Sequence, residues 1–409
     1  MKFDELTEKE FSKFVDKHYT KNFFQTVMMK KRYDKENVTN YLVGVKKDNK
    51  VIGASLIVEN GASFMGKKVY EAYKGFILDY QDKELVKFMT DEVKKFLKEK
   101  NALKLIIDPY IPNVSRDTDA NIVEDGIDNR WVHDYLLSLG YQYNDSGAQV
   151  KWCYCLEIDG KDSKTVFNGF KSNTKNYINK TLNKFKLDVR TLSRDQLKEF
   201  KKNTVETCDR RSFADKSLEY YENMYDVFGD DVTFKICELN CDNYIKFLEE
   251  ETAEYQRKVD ALPEYNSNNK KRDEYINNIN INKKRIEETT KLKEEKGSII
   301  PLSGAMFMLY GDEIVYLFSG SYEDVMSFCG QYRLQWEIIK YAADNGYKRY
   351  NFYGINDVFN PKGKDYGVYL FKKGFNGYVE ELLGSYTLDI DGTAKVYNML
   401  RKIKKLFKK

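Results

Sequence analysis

From residue 299 onward the chain repeats an order of elements it has already used once, and that repetition limits the folds open to it. The first 150 residues hold an amphipathic helix in KEFSKFVDKHY and a hairpin in NYLVGVKKDNKVIGASLIVE, two β-rich runs around the turn residues Asp48 and Asn49. KELVKFMTDEVKKFLKEK reads as a second amphipathic helix, ALKLIIDPYIP as a buried strand stopped by Pro109, and WVHDYLLSLGY as a helix closed at Gly140. The later half opens with LSGAMFMLYGDEIVYLFSGS, a hairpin turning at Gly311 and Asp312. The helix QYRLQWEIIKYAADNGY, capped by Gly346, and the strand KRYNFYGI follow. Between the halves lie the strand KWCYCLEI, the basic helix KSNTKNYINKTLNKFK, the short run LDVRTL, two further helices and the strand VTFKICEL. The expectation is an α/β (α+β) protein of two lobes with related design.

One stretch belongs to neither lobe. Cys241, Tyr244, Leu248, Thr252, Tyr255, Val259 and Leu262 recur at steps of three and four, as do Tyr275, Ile279, Asn282, Ile286, Thr289 and Lys293. This heptad patterning, broken by the Pro- and Asn-rich LPEYNSNNKK, predicts an antiparallel helical hairpin projecting from the second lobe. The division that follows is 1–150 for the first lobe, 151–240 with 298–386 for the second, 241–297 for the arm, and 387–409 packing back on the first lobe.

At 409 residues, 32% charged and 42% hydrophobic, the chain has the composition of an ordinary globular protein with more than one domain. No run approaches eighteen apolar residues, and MKFDELTEKEFSKF lacks a signal-peptide core, so a cytoplasmic protein is expected. The six cysteines have no zinc-ligand spacing, and there are two histidines, His18 and His133. A metal site and a His-based triad are therefore not expected, and His133 reads as a helix-face residue. A net charge of +4 does not mark the whole molecule as a nucleic-acid binder, so any polyanion must meet local patches.

Late in the chain, NFYGINDVFNPKGKDYGVYLFKKGFNG sets Phe371, Lys372 and Lys373 among glycines. From the residues alone this is an amphipathic strand with Phe371 and Phe375 in the core and Lys372 exposed. Lys373 then faces solvent on the other side. Taken with YLFSGSYEDV, YRLQWEIIKYAADNGYKRYNFYGI and LLGSYTLDI, and more loosely with FFQTVMMKKRY, YKGFILDY, IDPY and ETCDRRSF, the sequence resembles the FemABX family. These are the peptidoglycan-bridge aminoacyltransferases, or Fem/Mur ligases. The resemblance runs along nearly the whole chain. It implies two lobes like acyl-CoA N-acetyltransferases, an inserted helical hairpin, and transfer of an amino acid from aminoacyl-tRNA to the stem-peptide amine of a cell-wall precursor, without metal or nucleotide cofactor.

The resemblance also implies site residues. Lys372 of the FKxGF motif is placed to stabilise the leaving ribose oxygen or the oxyanion, with Phe371 holding its orientation and Gly367, Gly374 and Gly377 letting backbone pass close to substrate. Asp108, at the end of the strand KLIID, accepts a proton from the attacking ammonium or orients it; equally, it starts a turn before proline. Arg210 and Arg211 resemble a segment that meets the precursor's phosphates. So does the Lys30–Lys31–Arg32 cluster after the pair Gln25 and Thr26, with Lys31 and Lys35 as the candidates. Tyr316, Ser319 and Tyr322 would line the peptide channel, or lie in the core.

Lys171, Lys175, Lys180 and Lys184 recur along one helix, a track for the tRNA backbone or a solvated face. The tail LRKIKKLFKK, preceded by Met399, suits either an anionic membrane surface at the inner face or a terminal helix docked on the first lobe. Dimerisation with a second copy or a related transferase is a further partner expectation. Two other functions stay open from the sequence: an acyl-CoA-dependent N-acyltransferase, for which no pyrophosphate loop opens a helix, and a non-catalytic protein that recruits partners with its arm.

Overall fold

The computed structural model describes residues 1–144, 149–211, 215–262 and 269–406, with the side chains of 209–211, 269, 395 and 401–406 left out of that description. The first half runs β1 (Lys2–Glu5), α1 (Glu8–Val15), α2 (Val27–Lys35), β2 (Asn40–Lys47), β3 (Lys50–Phe64), β4 (Lys67–Ala72), β5 (Ile77–Leu78), α3 (Lys83–Glu99), β6 (Ala102–Ile107), β7 (Pro112–Ser115), α4 (Arg130–Ser138) and β8 (Tyr141–Asn144). The second begins with β9 (Trp152–Glu157), α5 (Ser163–Gly169), α6 (Ser172–Asn179), β10 (Asp188–Thr191), α7 (Leu197–Arg211), α8 (Leu218–Phe228), β11 (Val232–Asn240), α9 (Cys241–Asp260) and α10 (Asn269–Lys296). It closes with β12 (Ile299–Tyr310), β13 (Glu313–Ser321), α11 (Gly330–Asp344), β14 (Arg349–Gly354), α12 (Tyr366–Lys373), β15 (Tyr378–Leu382), β16 (Ser385–Asp389) and α13 (Thr393–Leu406).

Local chemistry explains most of these boundaries. Asp48 and Asn49 both take positive φ in the two-residue turn between the paired Lys47 and Lys50, the geometry that matches strand twist in a tight hairpin. Thr7 caps α1 reciprocally with Glu10, and Thr26 caps α2. Leu85, Val86, Met89, Val93 and Leu97 form the buried stripe of α3, and Leu334, Ile338, Ile339 and Ala342 that of α11. Each of the larger side chains, all but Ala342, contributes roughly 1.5–3 kcal/mol by leaving water.

Among the described residues the strands form two eight-stranded sheets, β1-β2-β3-β4-β6-β16-β8 (with β5 on β3) and β10-β11-β12-β13-β14-β9-β15-β7. The first seven positions of the two orders correspond, while β5 in the first sheet and β7 at the edge of the second have no counterpart. Each sheet contains a parallel pair, β4 with β6 and β13 with β14. The strand beside that pair is out of sequence order in both sheets. β9 follows β8 in sequence but lies between β14 and β15; β16 follows β15 but lies between β6 and β8. β7, within the 1–150 assigned to the first lobe, edges the second sheet, while β16, starting two residues ahead of the 387–409 stretch assigned to the first lobe, is an interior strand of the first sheet.

The lobes also share a core. Phe11, Val15, Met29 and Leu56 of the first half pack in one cluster with Phe200, Tyr221, Phe234 and Met308 of the second. In the arm, α9 and α10 pair along the patterned positions: Tyr255 meets Tyr275, and Asn282 is buried with its amide donating to Glu251 at 2.8 Å. The expected turn around 263–268 lies outside the described residues. α13 docks on the first sheet through Ala394, buried against Val69 and Leu103, and through Tyr397 against Phe64. His133 sits on α4, bonded to the Tyr386 hydroxyl at 2.9 Å.

The FKK segment departs from its sequence reading. Residues 366–373 are helical, so Lys372 turns inward instead of alternating outward as in a strand. The glycines make room for the protein's own chain. A Cβ at Gly377 would lie 1.9 Å from the Cys155 carbonyl oxygen and one at Gly374 2.3 Å from Thr174 Oγ1, while Gly367 faces open space. Because the obstacle at Gly377 is backbone within a strand pair, Gly377→Ala should destabilise the protein by about 1–3 kcal/mol or more, read as a lower urea midpoint, whereas Gly367→Ala should not.

Candidate active site at the seam of the two lobes

In an open sheet, ligands collect beyond the carboxyl ends of parallel strands, where the chain diverges. Both parallel pairs of this protein end in buried charge. In the first lobe, Ala72 and Ile107 are the last paired residues, and Lys74 and Asp108 follow. Asp108 is buried; its Oδ1 accepts the Lys74 backbone N–H at 2.9 Å and its Oδ2 lies 3.1 Å from the Lys74 ammonium. The contact at Oδ2 is a buried ion pair. Burial pushes the Asp108 carboxyl above the usual aspartate range, and the Lys74 cation pulls it partly back.

In the second lobe, β13 and β14 pair through Val315 and Asn351 and then splay, because β13 carries a bulge between Tyr316 and Phe318. Lys372 fills the gap. Its side chain is 5% exposed, and its ammonium donates to the carbonyl oxygens of Phe352 (2.6 Å), Gly354 (2.7 Å) and Tyr353 (3.4 Å), 5.9 Å from the Tyr316 ring. Tyr353, between those carbonyls, holds a left-handed φ of 62°, a strained conformation for an aromatic residue.

The two ends meet across the seam. Lys74 Nζ also donates to the Val150 carbonyl at 3.1 Å, and the Val150 side chain presses on Gly354, where a Cβ would come within 2.7 Å of it. Asp108, Lys74, Val150, Gly354 and Lys372 thus form one chain of contacts. Beside it, Arg349 binds Glu313 and Glu380 and reaches Tyr110 from the first lobe, whose hydroxyl donates to Glu313 at 3.1 Å.

The other sequence candidates fall in different places. Phe371 is half-buried and packs on Tyr332 and Phe375, at 4.9 and 5.6 Å. Lys373, expected in solvent, is an ion partner of Asp119. Tyr316 is buried, its hydroxyl donating to Gln331 at 3.0 Å. Ser319 and Tyr322 lie farther along, past the bulge, Tyr322 packed into the second lobe's core. The side chains of Arg210 and Arg211 lie outside the described residues. Lys31 is exposed, and Lys35 is tied to Asp226 of α8 at 2.8 Å. The inward cation on α2 is Arg32, 7% exposed, its guanidinium over the rings of Tyr33 (4.4 Å) and Tyr220 (5.0 Å) and its buried Nε without a hydrogen-bond partner. Helical phase marks it, since Met29, Arg32 and Tyr33 share the buried face. Gln25 ties this helix to the site by bonding both backbone groups of Leu56 and the carbonyl of Tyr73. Lys74 is the functional candidate that sequence reasoning missed. YKGFILDY held it, but its partner stands 34 residues away with no spacing signal.

Two sheets, each with one parallel pair and an out-of-order strand beside it, thus close a polar seam between them. A model of the FemAB family matches residues 6–402, and the chain belongs to that family. It is 30% identical over 418 residues to the aminoacyltransferase FemA of Staphylococcus aureus strain bovine RF122 / ET3-1, and equally to that of strain MW2, covering 99% of each chain. The crystal structure of FemX shares the fold, with a TM-score of 0.71 at 22% identity over 95% of this chain and 97% of that one.

If Asp108 takes up the proton, the acidic limb of the pH–rate profile should lie above the ordinary aspartate range. Lys74→Met, which removes the cation favouring the carboxylate, should move that limb to higher pH. A limb unmoved in folded Lys74→Met would separate Asp108 from the rate.

Proposed function

We propose that the protein transfers an amino acid from aminoacyl-tRNA to the stem-peptide amine of a peptidoglycan precursor, building an interpeptide bridge. The observation that carries this reading is the seam, which joins a buried carboxylate of one lobe to a buried lysine of the other at the carboxyl ends of both parallel pairs. It is supported by full-length similarity to proteins named aminoacyltransferase FemA.

An aminoacyl ester is already activated, so holding amine and ester together does most of the work. Asp108 receives a proton from the ammonium; the amine nitrogen then bonds to the ester carbonyl carbon, and the bond to the ribose oxygen breaks. The nitrogen sheds its second proton as the amide forms, and the ribose oxygen takes up one proton in leaving, so it needs a donor beside it. Of the three bonds from Lys372 to backbone carbonyls, the one to Tyr353 is the longest at 3.4 Å and the weakest, hence the one to exchange for that oxygen. Arg32, whose Nη1 pairs with Glu36 at 3.1 Å but whose buried Nε has no hydrogen-bond partner, is the inward α2 cation suited to a phosphate, alongside Arg210 or Arg211. Tyr316 borders the reacting end of the channel. Lys171, Lys175 and Lys180 follow the RNA backbone.

No helix among the described residues is long and apolar enough to cross a membrane. Peripheral contact with an anionic inner leaflet is supported by α13, where Val396, Met399 and Leu400 are exposed on a tail with seven Lys or Arg and no acidic residue from Lys395 to Lys409.

The test supplies purified protein with radiolabelled aminoacyl-tRNAs and, separately, soluble nucleotide-linked and lipid-linked precursors. Label should enter a precursor, and Lys372→Met should lower transfer at least about a hundred-fold, the scale of losing one transition-state donor. No transfer to either acceptor from folded wild-type protein would sink the reaction. Wild-type transfer by a Lys372→Met protein with native melting would remove Lys372 from it.

A further inference from the structure

A second line of side chains leads from Lys372 to the surface. Phe371, its neighbour, meets Tyr332 edge to face at 4.9 Å, and Tyr332 stacks on Tyr177 of α6 with centroids 4.7 Å apart and planes at 28°. Tyr177 is 38% exposed even so, and Lys180 Nζ lies 5.6 Å from its ring centroid. The ring is therefore backed by an aromatic ladder on one side and overlain by the flexible Lys180 side chain, which a stacked base would displace towards its own phosphates. Gly374 allows this contact between helices, its carbonyl accepting the Lys171 N–H at 3.0 Å while Thr174 occupies the space of the missing side chain.

The surroundings are of one sign. FKSNTKNYINKTLNKFK, from Phe170 to Lys186, has five lysines and no acidic residue. Lys171 and Lys180 are exposed, and Lys175 is half-buried with its ammonium on the Asn168 carbonyl at 3.1 Å. Past Tyr177 the helix widens into a π turn, Lys180–Lys184, a feature frequent at functional sites. Asn176, Asn179, Lys180, Asn183 and Lys184 line a shallow hollow there. A face that only kept the protein in solution would need lysines, but neither an exposed tyrosine stacked in place nor a hollow lined by three amides.

We propose that Tyr177 is a stacking platform for a base of single-stranded RNA, the unpaired 3′ end of the aminoacyl-tRNA, with Lys171 and Lys180 on its phosphates and Asn176, Asn179 and Asn183 on ribose or base edges. This inference rests on the aminoacyl-tRNA reading above. Stacking on an aromatic ring accepts every base, and lysines bind phosphate without regard to sequence, which suits a donor recognised by the end common to all tRNAs. The ladder then ends beside Lys372, where the ester would react.

The probe is a short fluorescein-labelled single-stranded RNA ending in CCA, titrated with the full-length protein at several salt concentrations. Tyr177→Ala should bind it about ten-fold or more weakly with unchanged melting, and Tyr177→Phe, which keeps the ring, should bind as the wild type does. Lys180→Gln should reduce the slope of log K against log salt by about 0.7, the loss of one phosphate contact on a single strand. Wild-type affinity in Tyr177→Ala would overturn the platform while leaving the transfer assay untouched. So would a wild-type protein that transfers label from aminoacyl-tRNA yet does not bind the oligonucleotide. Weakened binding in Tyr177→Ala supports the platform even where no transfer to a precursor is seen.

Discussion

Everything at the seam depends on the exchange of β9 and β16. β9 leaves the sheet of β8, which it follows in sequence, for the second sheet, and β16 leaves the sheet of β15 for the first, each lying beside a parallel pair with antiparallel ladders on both of its sides. Backbone hydrogen bonds in a sheet interior have no water to fall back on, so neither lobe can move far without opening a ladder in both. The lobes are held in one register, and that register brings Lys74 against Val150 and Val150 against Gly354. A site built from both lobes tolerates little misplacement, and this linkage limits it.

The buried charges at the seam are poor sources of stability but good sources of position. At 3.1 Å, and with an effective dielectric constant near 20, the attraction between Lys74 and Asp108 is about 5 kcal/mol. Removing both ions from water costs a similar amount, several kcal/mol each. What remains is directional: Lys74 is fixed by Asp108 and by the Val150 carbonyl, and Lys372 by three carbonyls at the end of β14. The Arg349–Glu313–Glu380–Tyr110 cluster does the same for the start of that strand. Both ends of β14 are therefore pinned by side chains, an arrangement consistent with the strained φ at Tyr353.

Much of this could be read from residues alone, for identifiable reasons. The hairpins at Asp48–Asn49 and at Gly311, the amphipathic helices, and the pairing of α9 with α10 are local patterns, and local patterns survive folding. The segment before Gly374 was ambiguous in kind. Phe371 and Phe375 fit a strand with a break as well as they fit consecutive turns of a helix, and tertiary contacts with Tyr332 and Thr174 decided for the helix. At α2 the cluster Lys30–Lys31–Arg32 was visible, but its inward member had to be found by phase with Met29 and Tyr33. The strand exchange and the Lys74–Asp108 pair left no local trace. The order of elements along a chain does not specify which strands pair, and an ion pair separated by 34 residues has no periodicity.

The exchange also bears on how the chain comes to exist. β6 and β8, complete by residue 144, cannot pair with each other across the place reserved for β16, which is made only after residue 384. During synthesis the first sheet must wait with an unfilled interior slot while most of the protein is still being joined. The usual order, in which an N-terminal domain folds before the next is made, is closed to it. The last strand is the keystone of the first lobe, so loss of a short C-terminal segment through Asp389 would unmake the half of the molecule farthest from it in sequence.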